Sequence, residues 1–219
     1  MEKYIIGIDE VGRGPIAGPV AVCAFLCKEG DVDQIIQESG LPIRDSKKLT
    51  KIQRGKWYKY LRNCQKEGKC DFAVNYVTAE NIDKFGISKC IQKALNSSLA
   101  KLDVQNFLRV GAPGERVKRG NFAHPVLINQ IYVYLDGGLK APKEYVNQQT
   151  VIKGDELYPI ISLASIVAKV SRDNVMQNFA KEYPEYGFEN HAGYGTKAHY
   201  EAIKKHGTTS LHRKTFINL

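Results

Sequence analysis

A five-residue apolar run, Tyr4-Ile5-Ile6-Gly7-Ile8, ends in two adjacent acids and a glycine-rich bend, Asp9-Glu10-Val11-Gly12-Arg13-Gly14-Pro15, and a second apolar run at 20–26 follows. Runs this short with glycine and proline on their flanks read as buried strands, not helices. Further strand-like runs fall at 72–77, 131–135 and 150–152, with helical patterns between and after them. Two strands in quick succession, then a third, then alternation of helix and strand, give an α/β chain. The expected architecture is a mixed five-stranded sheet, with antiparallel and parallel pairing, flanked by helices.

The helical patterns are uneven in character. Thr50 is a plausible N-cap, and Trp57, Tyr60, Leu61 and Cys64 then fall on one face, leaving Lys51, Arg54, Lys59, Arg62 and Lys66 outside. Residues 44–69 hold ten Lys or Arg against Asp45 and Glu67, which is nearly all of the chain's net charge of +9. So local an excess reads either as a solvated face or as a phosphate-binding one, and the scarcity of acids favours phosphate. A helix is expected over 88–102 and another, apolar on most sides and so central, over 160–181. Between them a basic segment at 109–121 reads either as an extension of the substrate footprint or as a surface insertion.

The length of 219 residues suits one domain spanning 1–219. No stretch approaches the roughly 20 apolar residues of a membrane span, and the first apolar run is too short for a signal peptide. A cytoplasmic protein is expected. The five cysteines, at 23, 27, 64, 70 and 90, lack zinc-site spacing and read as reduced structural thiols. Four of the five histidines (191, 199, 206, 212) fall in the last 32 residues, without a standard metal-ligand spacing.

Taken alone, Asp9 and Glu10 read more readily as solvated turn acids than as a metal site. Two further acids, Asp136 after Tyr134-Leu135 and Asp155 after Ile152-Lys153-Gly154, also close apolar runs beside glycine. In α/β sheets functional groups collect at strand ends, so acids remote in sequence can converge there. A carboxylate cluster suits Mg²⁺ or Mn²⁺, which take oxygen ligands and keep room for water and phosphate. Two such ions about 3.5 to 4 Å apart serve phosphodiester hydrolysis without a side-chain nucleophile. No nucleophile elbow, P-loop or dinucleotide fingerprint is present.

The blocks Ile8-Asp9-Glu10-Val11-Gly12-Arg13-Gly14-Pro15, Asp45-Ser46-Lys47-Lys48-Leu49, Leu135-Asp136-Gly137, Lys153-Gly154-Asp155, Ser165-Ile166-Val167-Ala168-Lys169-Val170-Ser171-Arg172-Asp173, Tyr186-Gly187-Phe188 with Gly193-Tyr194-Gly195-Thr196, and His212-Arg213-Lys214-Thr215-Phe216 occur in order over most of the chain. Together they resemble type 2 ribonuclease H, the bacterial ribonuclease HII family. The resemblance implies a ribonuclease H-like fold whose C-terminal part, from about residue 183, is helical and binds substrate. It implies an endonuclease that cuts the RNA strand of RNA/DNA hybrids and cuts 5′ to single ribonucleotides in duplex DNA, leaving 5′-phosphate and 3′-hydroxyl ends. The four metal-site acids fall on Asp9, Glu10, Asp136 and Asp155, with two ions when substrate is bound.

On the same resemblance, Gly12, Arg13 and Gly14 read the ribose 2′-hydroxyl through backbone groups, and Tyr194 contacts that hydroxyl and stacks on the neighbouring sugar. Lys47 is a substrate-binding candidate, with Lys48, Ser165, Lys169 and Arg172 as further candidates for phosphate contact or support of the acids. The chain is expected to act as a monomer without a C-terminal sliding-clamp tail. Departures are Ala192 where lysine is frequent, Leu163 for alanine, and Lys214-Thr215 for Arg-Ser. Two competing readings keep the fold: a binding module without turnover, and a resolvase-like DNA nuclease.

Overall fold

A computed structural model describes residues 3–43, 48–102, 104, 107 and 130–218. Its centre is a five-stranded sheet of β1 (Tyr4–Val11), β2 (Val20–Lys28), β3 (Cys70–Val77), β4 (Ile131–Asp136) and β5 (Gln148–Val151) in the order β3-β2-β1-β4-β5. β1–β2 and β2–β3 pair antiparallel, and β1–β4 and β4–β5 pair parallel. The expected mixed sheet is therefore present. β1 runs beyond Ile8 because Glu10 and Val11 still pair with Val22 and Ala21 of β2, so both acids lie within the strand and not after it.

The helices are α1 (Val32–Ser39), α2 (Lys51–Lys66), α3 (Ala79–Phe85), α4 (Ile87–Lys101), α5 (Gly154–Leu157), α6 (Pro159–Glu182), α7 (Phe188–His191) and α8 (Lys197–His206). Thr50 caps α2 through a capping box, its hydroxyl accepting from the Gln53 N–H while the Gln53 side chain accepts from the Thr50 N–H.

Side chains alternate across β1 and so serve two layers. Tyr4, Ile6 and Ile8 join Val22, Ala24, Val133 and Leu135 against Ile91, Leu95 and Leu99 of α4. On the opposite face Ile5, Cys23 and Phe25 meet Ile160, Leu163 and Val167 of α6, with Trp57 and Leu61 of α2 behind them. A Cβ at Gly7 would collide with the Ile160 carbonyl, so glycine there lets α6 lie directly on the sheet. Because α6 is buried on most sides it carries the weak amphipathicity of a central helix.

A third cluster joins Ile16 and Ala17, just past the glycine bend, to Met176 of α6, Tyr186, Phe188 and Ile203. This packing holds the C-terminal helices against the end of β1. Two sequence expectations shift: the last strand is Gln148–Val151 and not 150–152, and Asp155 lies not at a strand end but in the first turn of the short helix α5. The residues Asp45, Ser46 and Lys47, and the basic segment at 109–121, lie outside the described residues.

Candidate active site

The sheet brings the acids together by register. Ile8 pairs with Leu135 in the parallel β1–β4 ladder, so the next residues, Asp9 and Asp136, emerge side by side at the same end of adjacent strands. Asp136 pairs with Val151 of β5, and the chain then turns into α5, which carries Asp155. Lys153 makes that turn in the left-handed region at φ 56°, unusual for a residue with a Cβ. The Gly154 N–H donates to Asp136 Oδ1 at 2.6 Å, and the Ser162 hydroxyl donates to the Asp155 carbonyl at 2.5 Å, fixing both acids to their neighbours.

Asp9 and Asp155 are 6% and 3% exposed, which is unusual for carboxylates. Burial raises the Asp9 pKa well above the ordinary carboxylate range; the Ser165 hydroxyl bond opposes this, and the charges of Glu10, Asp136 and Asp155 add to it. Glu10 is also raised, by burial first and then by Asp136, with Arg13 opposing. Its Oε1 lies 3.5 Å from the Arg13 guanidinium, whereas its Oε2 is buried with no hydrogen-bond partner among the described residues. Four acids therefore share one field, short of positive charge, with an orphaned carboxylate oxygen among them.

An all-oxygen donor set of this kind fits hard divalent cations. Among the described residues no three His, Cys, Asp or Glu side chains close into a ready metal cage.

Beside the acids lies the glycine bend. Gly12 has φ 86°, and a Cβ on it would run into the Arg172 side chain. At Gly14 a Cβ would meet only the Tyr194 ring, at 3.9 Å. Tyr194 is 46% exposed and is anchored through its neighbour, since the Gly193 carbonyl accepts from Ile16 N–H at 2.9 Å and Ala17 N–H at 3.1 Å. The bend and Tyr194, from opposite ends of the sequence, thus form one corner.

Two fully buried guanidinium groups lie under that corner. Arg172 donates to the carbonyls of Pro19, Ala192 and Ala17, and Arg213 to those of Gly18, Arg13 and Gly12. Arg172 is thus engaged with backbone. The Ala192 carbonyl accepts from Arg172 at 2.9 Å, with Ala192 itself in the left-handed region at φ 48°. Lys169 pairs with Asp173 at 2.8 Å, while Lys48 lies 4.0 Å from Glu156 and ties the start of α2 to α5. The buried roles of Arg213 escape a sequence reading, although the residue stands in the last of the sequence blocks, because its partners are about 200 positions away.

Behind Tyr194 the histidines interlock. His191 stacks on His199 with centroids 4.4 Å apart, His199 Nδ1 bonds the Tyr194 carbonyl at 2.8 Å, and His199 Nε2 meets His212 Nε2 at 3.3 Å. Burial and then His199 push His212 down to about 4.

A family model described as Ribonuclease HII matches residues 6–109 and 116–219. The chain belongs to the ribonuclease HII family. It is 37% identical over 212 residues to a ribonuclease HII of Prochlorococcus marinus, covering 97% of this chain and 95% of the relative. It is 38% identical over 219 residues to a ribonuclease HII of Fusobacterium nucleatum, covering 98% and 86%. Among solved structures, ribonuclease H2 of Pyrococcus horikoshii superposes with a TM-score of 0.65 at 25% identity, covering 97% of this chain and 93% of that one. The ribonuclease HII of Archaeoglobus fulgidus, solved in complex with PCNA, gives 0.67 at 23% identity, covering 99% and 96%. A ribonuclease HIII from Bst, solved with Mn²⁺, gives 0.63 at 16% identity, covering 97% and 67%.

The fold is thus ribonuclease H-like, as the sequence motifs implied. Membership in the ribonuclease HII family makes the chain a nuclease acting on RNA/DNA hybrids, in a family that is typically metal-dependent. No helix among the described residues is long and apolar enough to cross a membrane.

Proposed function

We propose that this ribonuclease HII cuts 5′ to single ribonucleotides in duplex DNA as well as within RNA/DNA hybrids, leaving 5′-phosphate and 3′-hydroxyl ends. The observation that supports this reading is the joining of a four-acid cluster, two of its members buried, to a corner where the half-exposed Tyr194 ring stands beside the open side of Gly14. Asp9, Glu10, Asp136 and Asp155 are the catalytic and metal-holding residues of the proposal. When bound, two Mg²⁺ or Mn²⁺ ions would supply activation of the attacking water and neutralisation of charge on the leaving 3′-oxygen.

The chain's own side chains do the rest. The Ser165 hydroxyl and the Gly154 N–H orient Asp9 and Asp136, and burial keeps Asp9 away from competing water. Gly12, Arg13 and Gly14 approach the ribose through backbone, and the Tyr194 ring packs on the adjoining deoxyribose. A corner built to satisfy a 2′-hydroxyl rejects deoxyribose there, because its polar groups would be left unpaired. Lys47 serves as a phosphate contact, and residues from about 183 onward form the substrate-binding part of a single catalytic domain spanning 1–219. The protein acts as a monomer in the cytoplasm.

Incubation of a duplex holding one ribonucleotide, with and without Mg²⁺, tests the proposal against an all-DNA duplex of the same sequence. Mg²⁺-dependent cutting at the 5′ side of the ribonucleotide alone is expected. Equal cutting of both duplexes would favour a DNA nuclease, and absence of cutting a binding module.

A further inference from the structure

Arg213 is fully buried, 195 to 201 residues along the chain from the bend it serves, and its three hydrogen bonds all go to backbone. Burying a guanidinium costs several kcal/mol in effective terms even when it is hydrogen-bonded, and apolar residues of similar volume usually fill such a place with equal or better stability. Gluing the C-terminal segment to the sheet therefore does not by itself explain a guanidinium. The geometry of its acceptors does. Nη2 takes the Gly12 carbonyl at 2.7 Å, Nη1 the Arg13 carbonyl at 3.1 Å and Nε the Gly18 carbonyl at 3.0 Å.

Across a planar trans peptide the carbonyl of one residue and the N–H of the next point in opposite directions. All described peptide bonds are trans. With the Gly12 and Arg13 carbonyls drawn onto Arg213, the N–H groups of Arg13 and Gly14 must point away from it, on the outer side of the bend. Two consecutive donors aimed the same way form a small anion- or oxygen-binding concavity. Without the fork, the peptide planes at 12–13 and 13–14 are free to rotate, since Gly12 and Gly14 impose little restriction of their own.

We infer that Arg213 is the positioning residue of the ribose-reading corner: its guanidinium fork turns two carbonyls inward and so presents the Arg13 and Gly14 N–H groups to the sugar-phosphate oxygens of the substrate. The inference rests on the proposed reading of that corner as the ribonucleotide site. Arg213 is itself held from three sides. Its own N–H donates to the Ile16 carbonyl at 2.8 Å, its guanidinium lies 5.3 Å from the Phe216 ring, and Asp83 accepts from the N–H groups of Lys214 and Thr215 at 2.8 and 3.1 Å. Burial, and then Arg172, lower its pKa only to about 10, so the fork keeps its proton at neutral pH. Lysine keeps the charge but offers no planar fork and cannot span three carbonyls.

The test is steady-state cleavage by the full chain with Mg²⁺, comparing the KM for a duplex with one ribonucleotide to the Ki of the all-DNA duplex of the same sequence as competitor. In Arg213→Lys the KM is expected to rise about tenfold while the Ki stays within twofold, so that preference for the ribonucleotide collapses. With kcat referred to the folded fraction measured by active-site titration, a loss confined to kcat with KM and Ki unmoved overturns the assignment, as does an unchanged KM-to-Ki ratio with normal kcat. Should Arg213→Lys fail to fold, Phe216→Leu, which loosens the guanidinium but leaves it in place, carries the same comparison: a partial fall in preference supports the inference and an unchanged ratio overturns it. A wild-type protein without ribonucleotide preference would instead refute the proposed function, which separates the two failures.

Discussion

Gly12 and Gly14 stand two positions apart and answer to different demands. Gly12 is in the left-handed region with Arg172 beneath it, so Gly12→Ala is expected to cost about 2 kcal/mol or more of stability, read by denaturant unfolding. Gly14 has open space except for the Tyr194 ring, so Gly14→Ala is expected to fold with stability within about 0.5 kcal/mol of wild type. Its methyl group would nevertheless occupy the sugar's approach, and cleavage of a single-ribonucleotide duplex is expected to fall on the order of 10²-fold. Cleavage at the wild-type rate by Gly14→Ala would place the ribose elsewhere. The motif marks both glycines from sequence, but only the packed surroundings of each show that a side chain is excluded at Gly12 and sterically tolerated at Gly14.

At the scale of elements, the C-terminal helices are held partly by neutral imidazoles. His191 Nδ1 accepts from the Gly193 N–H at 3.2 Å, and His212 Nδ1 from the Thr209 N–H at 2.9 Å. Donor and acceptor roles alternate along the chain of rings, so an added proton sets one N–H against another. His212 is held near a pKa of about 4, against an ordinary value of 6.5, by burial and by His199, and burial also lowers His199. A His depressed in the folded state contributes stability that is complete above the unfolded pKa and is lost as pH falls toward the folded one. Stability is therefore expected to fall by about 2 to 3 kcal/mol between pH 6.5 and 4 through His212. His212→Gln should flatten that slope in urea unfolding measured at several pH values; an undiminished slope would assign the acid sensitivity to other groups.

The same scale shows what a sequence can and cannot disclose. Four strands are legible from apolar runs, and α2 from its cap and periodicity, because those signals are local, whereas β5 begins at Gln148 in polar residues and is displaced in the sequence reading. The helices α1 and α3, of eight and seven residues, are too short to establish a period. Gly154 and a left-handed Lys153 hide the helix α5, which is why Asp155 reads as a strand-terminal acid. The four acids are legible as a set from the family blocks, and Ser165 as a candidate support for them, whereas its choice of Asp9 and the hold of Arg213 on the bend depend on long-range packing.

For the whole molecule, charge and site are connected through α2. Lys51, Lys56 and Lys59 are exposed on that helix, and the Lys48–Glu156 pair brings its start to the helix that holds Asp155. A duplex seated over the acids would therefore run past these lysines. Replacing Lys51 and Lys56 together with Gln is expected to raise KM several-fold at low salt while kcat stays constant. The slope of log binding constant against log salt should shrink by about 0.9 for each phosphate that the helix no longer neutralises. An unchanged slope would leave α2 outside the substrate track.

The proposed function stands on four carboxylates, gathered by the β1–β4–β5 register and α5, carrying out divalent-ion-dependent cleavage beside a ribose-reading corner. Single-turnover cleavage of a duplex with one ribonucleotide, by Asp9→Asn, Glu10→Gln, Asp136→Asn and Asp155→Asn in Mg²⁺, tests it most directly when duplex affinity is measured alongside. Rates are expected to fall on the order of 10² to 10³-fold or more, with affinity within about threefold of wild type. Cleavage by the Asp9 or Asp136 variant at the wild-type rate would place the chemistry elsewhere in the molecule.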